Sequence, residues 1–539
     1  MRRFAELLDR LVLTPSRNGK LRLMTDFFRA APDPERGYAL AAITGDLSIA
    51  SVKPAMLRAL IAERMDEVLF GYSYDYVGDL AETLALVWPA PQDQAMPDGR
   101  QPSLTEIVEA LGNASRQEGP RLVEGWLDRL DSSGRYALLK LVTGAMRIGV
   151  SARLAKQAVA DLGGKDVGEI EELWHGLEAP YEALFAWLEG RGEKPVSAAA
   201  APFRPVMLSQ PLEEPDYPKI VPEDYAAEWK WDGIRVQATR EAGICRLYSR
   251  TGDDISGSFP DLVEHMDFAG TLDGELLVAR PAKTEGIVTG TFSDLQQRLN
   301  RKTVSAAVIK KYPVFLRVYD LLVEEEDDTR PLAFAERRKR LEAFVAHLDP
   351  SRFDLSPLVP FDTFAKLSEK RAALPHPVIE GLMLKRWDSP YLSGRPKGPW
   401  FKWKQDPHLI DAVLMYAQRG HGKRSSFYSD YTFGVWAGSE DAPELVPVGK
   451  AYFGFTDEEL KYLDKYVRDN TVERFGPVRS VRAELGHGLV LEVAFEGLAR
   501  SSRHKSGVAM RFPRISRLRW DKPAAEADRL DTLKAMLPD

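Results

Sequence analysis

One cysteine, Cys245, stands in 539 residues, which excludes an internal disulfide and any zinc module built on several cysteines. No apolar run approaches the length of a membrane span, so no membrane partner is expected. The amino terminus also lacks an unbroken apolar stretch. Glu6 and Asp9 interrupt it, while Phe4, Leu7, Leu8 and Leu11 fall on one helical face, so a helix is predicted rather than a signal peptide. A cytoplasmic protein is the expectation. There is no internal repeat and no overall excess of positive charge. With 73 Lys and Arg against 80 Asp and Glu the net charge is −7, which argues against a protein that coats nucleic acid over its whole surface. Local basic surfaces remain open. From Arg500 to Trp520 no acidic residue occurs, while Arg500, Arg503, Lys505, Arg511, Arg514, Arg517 and Arg519 are cationic. A solvated basic face is the alternative reading of that run.

What the chain does have is length for about three to four domains, with 44% apolar and 28% charged residues, the balance of a soluble globular protein. Residues 1 to about 190 show apolar spacing of three and four and read as helical. Ser103 and Glu106 form a capping-box pattern after the Pro- and Gln-rich loop near 91–102. Between Leu138 and Ala160, Gly144 and Gly149 predict breaks or close backbone approach, and Ser151 is placed to cap the next helix. Composition shifts at Glu189 to Pro195 and the Ser-Ala-Ala-Ala-Ala-Pro that follows, as in an interdomain linker. Beyond it the period becomes two. Strands are predicted over Ala226–Arg240, Ile244–Arg250 and Thr271–Val278, and a helix over Leu332–Leu348. From about Pro407 strands dominate again, over Tyr431–Ala437, Leu445–Val448 and Leu489–Phe495, and a small closed barrel is expected.

The run Glu228-Trp-Lys-Trp-Asp-Gly-Ile-Arg235 places Lys230 among groups that nucleotidyl transfer requires. A lysine amine attacks phosphorus only when neutral, so cationic neighbours such as Arg235 or a metal-bound triphosphate would have to favour that form. Asp232-Gly233 between alternating flanks also reads as a hairpin turn. Further clusters follow in order. Tyr248 to Gly252 carries Arg250 at a strand end, and Leu272 to Leu276 carries Glu275, with Asp273-Gly274 expected to turn the chain. Val318 to Leu322 presents Tyr319, an aromatic able to stack on a base. Glu380 to Lys385 joins a carboxylate to a lysine, and Lys402 and Lys404 would share one face of a strand. Each cluster alone also fits an ordinary surface or core; the order is what carries weight.

That order resembles the ATP-dependent DNA ligases of the covalent nucleotidyltransferase superfamily. The motifs are Lys230–Arg235, Tyr248–Gly252, Leu272–Leu276, Val318–Leu322, Glu380–Arg386, Trp400–Lys404 and Met510–Arg514, and Met146-Arg147-Ile148-Gly149 extends the likeness into the helical region. The resemblance implies a multidomain protein: an all-α DNA-binding domain over 1–195, an α+β adenylation domain over 203–405 and a β-barrel OB-fold over 406–539. It implies that Lys230 takes AMP from ATP, with Mg²⁺ or Mn²⁺, and that Glu228 recognises the adenine amino group. Arg235 and Arg250 would contact the AMP sugar and phosphate, Glu275 the ribose or metal, and Tyr319 the adenine face. Glu380 would bind metal, with Lys385, Lys402 and Lys404 on the phosphate side and Asp232 helping to organise the attacking hydroxyl. Arg395 stands seven residues before Lys402, one more than the family spacing. Arg511 and Arg514 would orient pyrophosphate from a barrel that swings about Gln405 to Pro407. The implied partner is nicked duplex DNA, bound by a monomer, in replication, repair or recombination. An RNA ligase, a GTP-using capping-type enzyme and a noncatalytic DNA-binding scaffold are the competing readings; the helical first region weighs against the first two, and the presence of Lys230, Glu380 and Lys402 against the third.

Overall fold

The computed structural model describes residues 1–77, 79–89, 101–144, 146–196, 200–279, 289–299, 301, 303–420, 428–439, 442–452, 454–502 and 504–537. Arg503, most of the loop near 91–102 and linker residues 197–199 lie outside them. The chain forms two compact units, one of Met1–Leu162, Ala179–Phe185 and Asp406–Asp539, the other of Gly163–Glu178 and Ala186–Gln405.

Every described element from Arg2 to Leu188 is a helix. Helix α1 (Arg2–Leu13) buries Phe4, Leu7, Leu8 and Leu11, the predicted face. Helix α2 (Leu104–Asn113) starts at the expected capping box, with Ser103 and Glu106 each satisfying the other's backbone N–H. Helix α3 (Ser132–Thr143) stops at Gly144, whose φ of 67° is the left-handed conformation that a helix end favours. Ser151 then caps α4 (Ala152–Gly163) through Leu154 N–H. No described helix is long and apolar enough to cross a membrane.

The second unit is built on two sheets. One carries β1 (Tyr225–Trp231) beside β6 (Ile379–Arg386), which pairs with β7 (Trp400–Lys404) and through it with Gln210–Pro211. The other runs β3 (Ile244–Ser249), β2 (Ile234–Glu241), β4 (Gly270–Val278), β5 (Val314–Glu324), with Phe353–Leu355 added parallel to β5. Period two divides each strand. On β1 and β7, Tyr225, Ala227, Phe401 and Trp403 enter one core with Leu382 and Leu384. Glu228, Lys230, Lys402 and Lys404 therefore take the other face. The second sheet closes its own core with Val236, Leu247, Leu272, Leu316 and, from helix α6 (Phe334–Val345), Leu341.

Two turns expected from Asp-Gly pairs do not occur. Strands β1 and β2 belong to different sheets, so Asp232-Gly233 is a crossover between sheets and not a hairpin. Gly233 is required there by crowding, because a Cβ would lie 2.3 Å from Leu276 O and 2.9 Å from the Glu275 side chain. Asp273-Gly274 lies inside β4, where Gly274 lets β5 approach: a Cβ would meet Arg317 O at 2.7 Å.

From His408 the chain is mostly strand. Strand β8 (His408–Arg419) pairs with β9 (Tyr428–Gly438) along one edge, and β10 (Pro443–Ala451) extends that side. Along the other edge β8 pairs first with β13 (Val490–Phe495), then with β12 (Val478–Val481), which leads to β11 (Thr471–Phe475). Strands β14 (Gly497–Arg500) and β15 (Val508–Arg511) form a ribbon, and β16 (Arg514–Arg519) pairs with β13. The basic run of 500–520 is partly neutralised from other strands: Lys505 meets Glu444, and Arg517 and Arg519 meet Glu492 at 3.1 and 3.8 Å.

Candidate active site

Lys230 and Glu228 face the same way from β1, and the two ends of that strand face differ in every physical respect. At Glu228 the site is closed. Its side chain is 2% exposed and meets Lys385 Nζ at 3.0 Å and Arg338 Nη1 at 3.4 Å. Burial pushes the Glu228 carboxyl up, and the two cations offset part of that shift. Lys385, 1% exposed, also donates to Tyr319 O at 3.2 Å. Lys385, expected on the phosphate side, is found with its ammonium buried against Glu228. The Tyr319 ring lies near two cations, its centroid 4.7 Å from Lys385 Nζ and 5.9 Å from the Arg235 guanidinium carbon.

Arg235 is more deeply committed than the sequence implies. It donates to both Asp273 oxygens at 3.0 and 2.6 Å, to Met207 O at 2.8 Å and to the Tyr391 hydroxyl at 3.1 Å. Asp273, fully buried, also accepts the Tyr391 O–H at 2.6 Å. A guanidinium has five N–H donors, so four of them are spent inside the protein. Arg235 thus forms a wall of the site, with these four bonds fixing its guanidinium.

At Lys230 the site is open. Its amine contacts Glu380, whose other oxygen meets Lys404 Nζ at 3.1 Å. The register explains how a residue on a neighbouring strand reaches both lysines. Lys230 pairs with Gly381 but Trp231 with Ile379, so Glu380 is skipped as a bulge, and a bulge re-aims its side chain. Gly381 also pairs with Lys404, and a Cβ on it would come 2.3 Å from Trp403 O. Burial raises the Glu380 carboxyl, but Lys230 and Lys404 more than reverse that and hold it below the usual range. Arg250, Arg395 and Lys402 complete the cationic group. Desolvation lowers Lys402, and the charges of Arg395, Lys230, Lys404 and Arg250 lower it further. Desolvation likewise lowers Arg250, with Arg235 and Arg395 adding to it. The irregular spacing of Arg395 thus leaves it within electrostatic reach of both. Glu275 lies behind the crossover, accepting Gly233 N–H at 3.2 Å, and burial pushes its carboxyl up to about 8 against the opposing pull of Lys230 and Arg235.

Residues 206–404 match the family model for the ATP dependent DNA ligase domain, and residues 424–522 that for the ATP dependent DNA ligase C terminal region. A probable DNA ligase of Anaeromyxobacter sp. is 31% identical over 85% of this chain and 87% of its own length. The chain belongs to the ATP-dependent DNA ligase family. A probable DNA ligase of Koribacter versatilis is 29% identical over 98% of this chain and 95% of its own. The solved structure titled Pmar-Lig_Pre shares the fold, with a TM-score of 0.58 at 14% identity, covering 96% of this chain and 99% of that one.

Two expected residues lie in the other compact unit. Arg511 ends β15 with its guanidinium 5.3 Å from the Phe512 ring, and Arg514, which begins β16, is 3.8 Å from Glu496. Asp232 donates its backbone N–H to Val378 O at 2.7 Å at the crossover beside Lys230. The sequence did not mark Arg338, Tyr391 or Asp273 as site residues, although all three hold members of the site. Asp273 lies within the Leu272–Leu276 motif, where period two on a buried strand aims it inward with Glu275. Arg338 and Tyr391 carry no such signal.

Proposed function

We propose that this ligase seals nicks in duplex DNA through a Lys230–AMP intermediate. The observation that carries the reading is the contrast along β1: a closed, paired end at Glu228 suited to an adenine edge, and a cation-rich end at Lys230 suited to a triphosphate. Lys230 Nζ attacks the ATP α-phosphorus, shedding its proton by way of Glu380, whose side chain is 20% exposed and reaches solvent. Pyrophosphate leaves, and Arg250, Arg395, Lys402 and Lys404 offset the charge building on phosphate oxygens. The 5′-phosphate at the nick then attacks the lysine-bound AMP, which returns Lys230 and makes a DNA adenylate. The neighbouring 3′-hydroxyl displaces AMP and joins the strands, with Asp232 placed to organise that hydroxyl.

Glu380 and Glu275 are the residues that would hold Mg²⁺. A half-buried carboxyl that burial has pushed up to about 8 is one whose ionised form a divalent cation would stabilise, so the donor set fits. The ion would neutralise phosphate charge. We read 1–195 as the DNA-binding region, 203–405 as the adenylation domain and 406–539 as an OB-fold barrel, in a monomer. Support comes from the helix-only composition of the first region, the unit boundary between Gln405 and Asp406, and a long β8 that changes partners along its length. The barrel would swing about Gln405 to Pro407, bringing Arg511 and Arg514 to pyrophosphate in the first step.

The test is to incubate the protein separately with α-labelled ATP, α-labelled GTP and labelled NAD, then chase with nicked duplex DNA. Label is expected from ATP alone and should pass to DNA. Label from GTP alone, or label retained by Lys230→Ala, would overturn the reading.

A further inference from the structure

Arg250 is exposed and follows the last residue of β3, so no ladder fixes it. It sits at the tip of a turn closed by Ser249 N–H to Asp253 O and Gly252 N–H to Ser249 O, both at 2.9 Å. Behind that turn stands a side chain from before the linker. Helix α5 (Val167–Trp174) belongs to the segment Gly163–Glu178, which lies in the same compact unit as the two sheets. The ring of His175, which follows it, is 5.4 Å from the Tyr248 ring and 5.3 Å from the Phe203 ring. Tyr248 is anchored by its O–H to Ala201 O at 2.7 Å. Gly252, at φ 90°, is seated against the same imidazole: a Cβ would approach His175 Nε2 to 2.9 Å. The segment is fastened a second time, by an ion pair from Glu172 to Arg330. The Arg330 carbonyl accepts Tyr391 N–H at 2.8 Å, and the Tyr391 hydroxyl bonds Asp273 at 2.6 Å, the residue that grips Arg235.

We propose that α5 and His175 are a positioning element for ATP: the His175 ring sets the turn that presents Arg250, and Glu172 steadies Arg235 through Arg330 and Tyr391. The proposal rests on the assignment of Arg250 to the ATP site made above. Neither residue touches the reacting atoms. Their effect is to hold in one arrangement two cations that an isolated middle domain would hold less firmly.

The test uses the full chain and reads the rate of Lys230 labelling against ATP concentration, with thermal melting recorded for every variant. His175→Ala should raise the KM for ATP about five- to tenfold, as expected for loss of a well-placed ring contact, with the maximal rate changed less than about twofold. His175→Phe, which keeps a ring, should restore the parent KM. In an Arg250→Ala background His175→Ala should add nothing, since residues acting through one another are not additive. Glu172→Gln, which leaves the core intact, should raise KM about two- to threefold. A parent-like KM in a normally melting His175→Ala, a full multiplicative effect on top of Arg250→Ala, or failure of His175→Phe to rescue would each overturn the proposal. If His175→Ala does not fold, a parent-like KM in Glu172→Gln overturns it. A parent protein that takes label from ATP, but whose KM is unmoved by Arg250→Ala, identifies the ATP-site assignment as the failure.

Discussion

Glu228 and Lys230 are two residues apart on one face of one strand, yet one end of that face is built like a core and the other like a surface awaiting a ligand. At Glu228 the charges are matched and almost fully buried: Glu228 with Lys385 and Arg338, and nearby Asp320 with Arg337, both 0% exposed. At Lys230 five cations, Lys230, Arg250, Arg395, Lys402 and Lys404, gather within electrostatic reach of Lys402, and the carboxylate Glu380 pairs with two of them, Lys230 and Lys404. A buried matched set contributes little net stability but is costly to break, because the remaining partner is left desolvated. A half-exposed surplus of like charge destabilises the free protein and is relieved by an anion. Under the proposed ATP site, the comparison teaches that base recognition would be stored as structure and phosphate recognition left as unspent charge.

The largest effect that could break this comparison is at the nucleophile. Lys230→Ala should lower AMP transfer by about 10⁴-fold or more, the scale of losing a covalent catalyst, while the melting temperature stays near the parent's. Residual labelling above that level would move the nucleophile elsewhere. Next comes Lys385→Met, an apolar replacement that removes one partner from a fully buried pair. It should destabilise the middle unit by about 3–5 kcal/mol, read as a shift in the denaturation midpoint, because Glu228 then keeps only the 3.4 Å contact with Arg338 among the ion pairs described for it. A loss below about 1 kcal/mol would show that the buried end is not held by this pair.

Most elements were legible from pattern, and the misreadings have physical sources. Predicted strands at 226–240, 271–278 and 489–495 became β1 with β2, β4 and β13, and the helix at 332–348 became α6. Both Asp-Gly pairs depart from the expected turns because Gly233 and Gly274 serve close backbone approach instead. The ordered motifs named Lys230, Lys402 and Lys404, which the structure brings to one sheet face, because side chains on strand faces are readable at period two. The closed end was less legible. Lys385 faces Glu228, Arg235 is spent on Asp273, and Arg338 arrives from a helix 110 residues away in sequence. Such partnerships depend on how separate elements meet, and one strand's spacing does not encode them.

A smaller effect concerns Glu275, which lies behind the crossover next to the open end. Its carboxyl moves from 4.5 to about 8 on folding, chiefly by desolvation. The folded state therefore binds the extra proton between these values, so stability falls as pH rises through that window, opposite to an ordinary paired carboxylate. The expected loss between pH 5 and 8 is on the order of 3 kcal/mol, one pKa unit being worth about 1.4. Glu275→Gln should flatten the profile in urea titrations at the two pH values. Divalent cations, which require the ionised carboxylate, should restore stability at pH 8 and do little at pH 5. A parent profile as flat as that of the variant would place Glu275 outside the desolvated region.

The smallest effect is the sharpest test of the contrast itself. Lys404 matches Lys385 in kind: each is a strand lysine donating to a glutamate, at 3.1 and 3.0 Å. They differ in exposure, 34% against 1%. If exposure decides what the charge is for, Lys404→Ala should shift stability by less than about 1 kcal/mol, since solvent screens the pair and removing one cation relieves repulsion of the others. AMP transfer should nonetheless fall about tenfold if, as proposed, Lys404 offsets charge on the departing pyrophosphate. Comparing both variants by midpoint and by labelling rate gives opposite orderings on the two measurements. If Lys404→Ala instead cost as much stability as Lys385→Met, or left labelling unchanged, the two ends of β1 would be one continuous ion-pair network, and the division between stored recognition and unspent charge would fail.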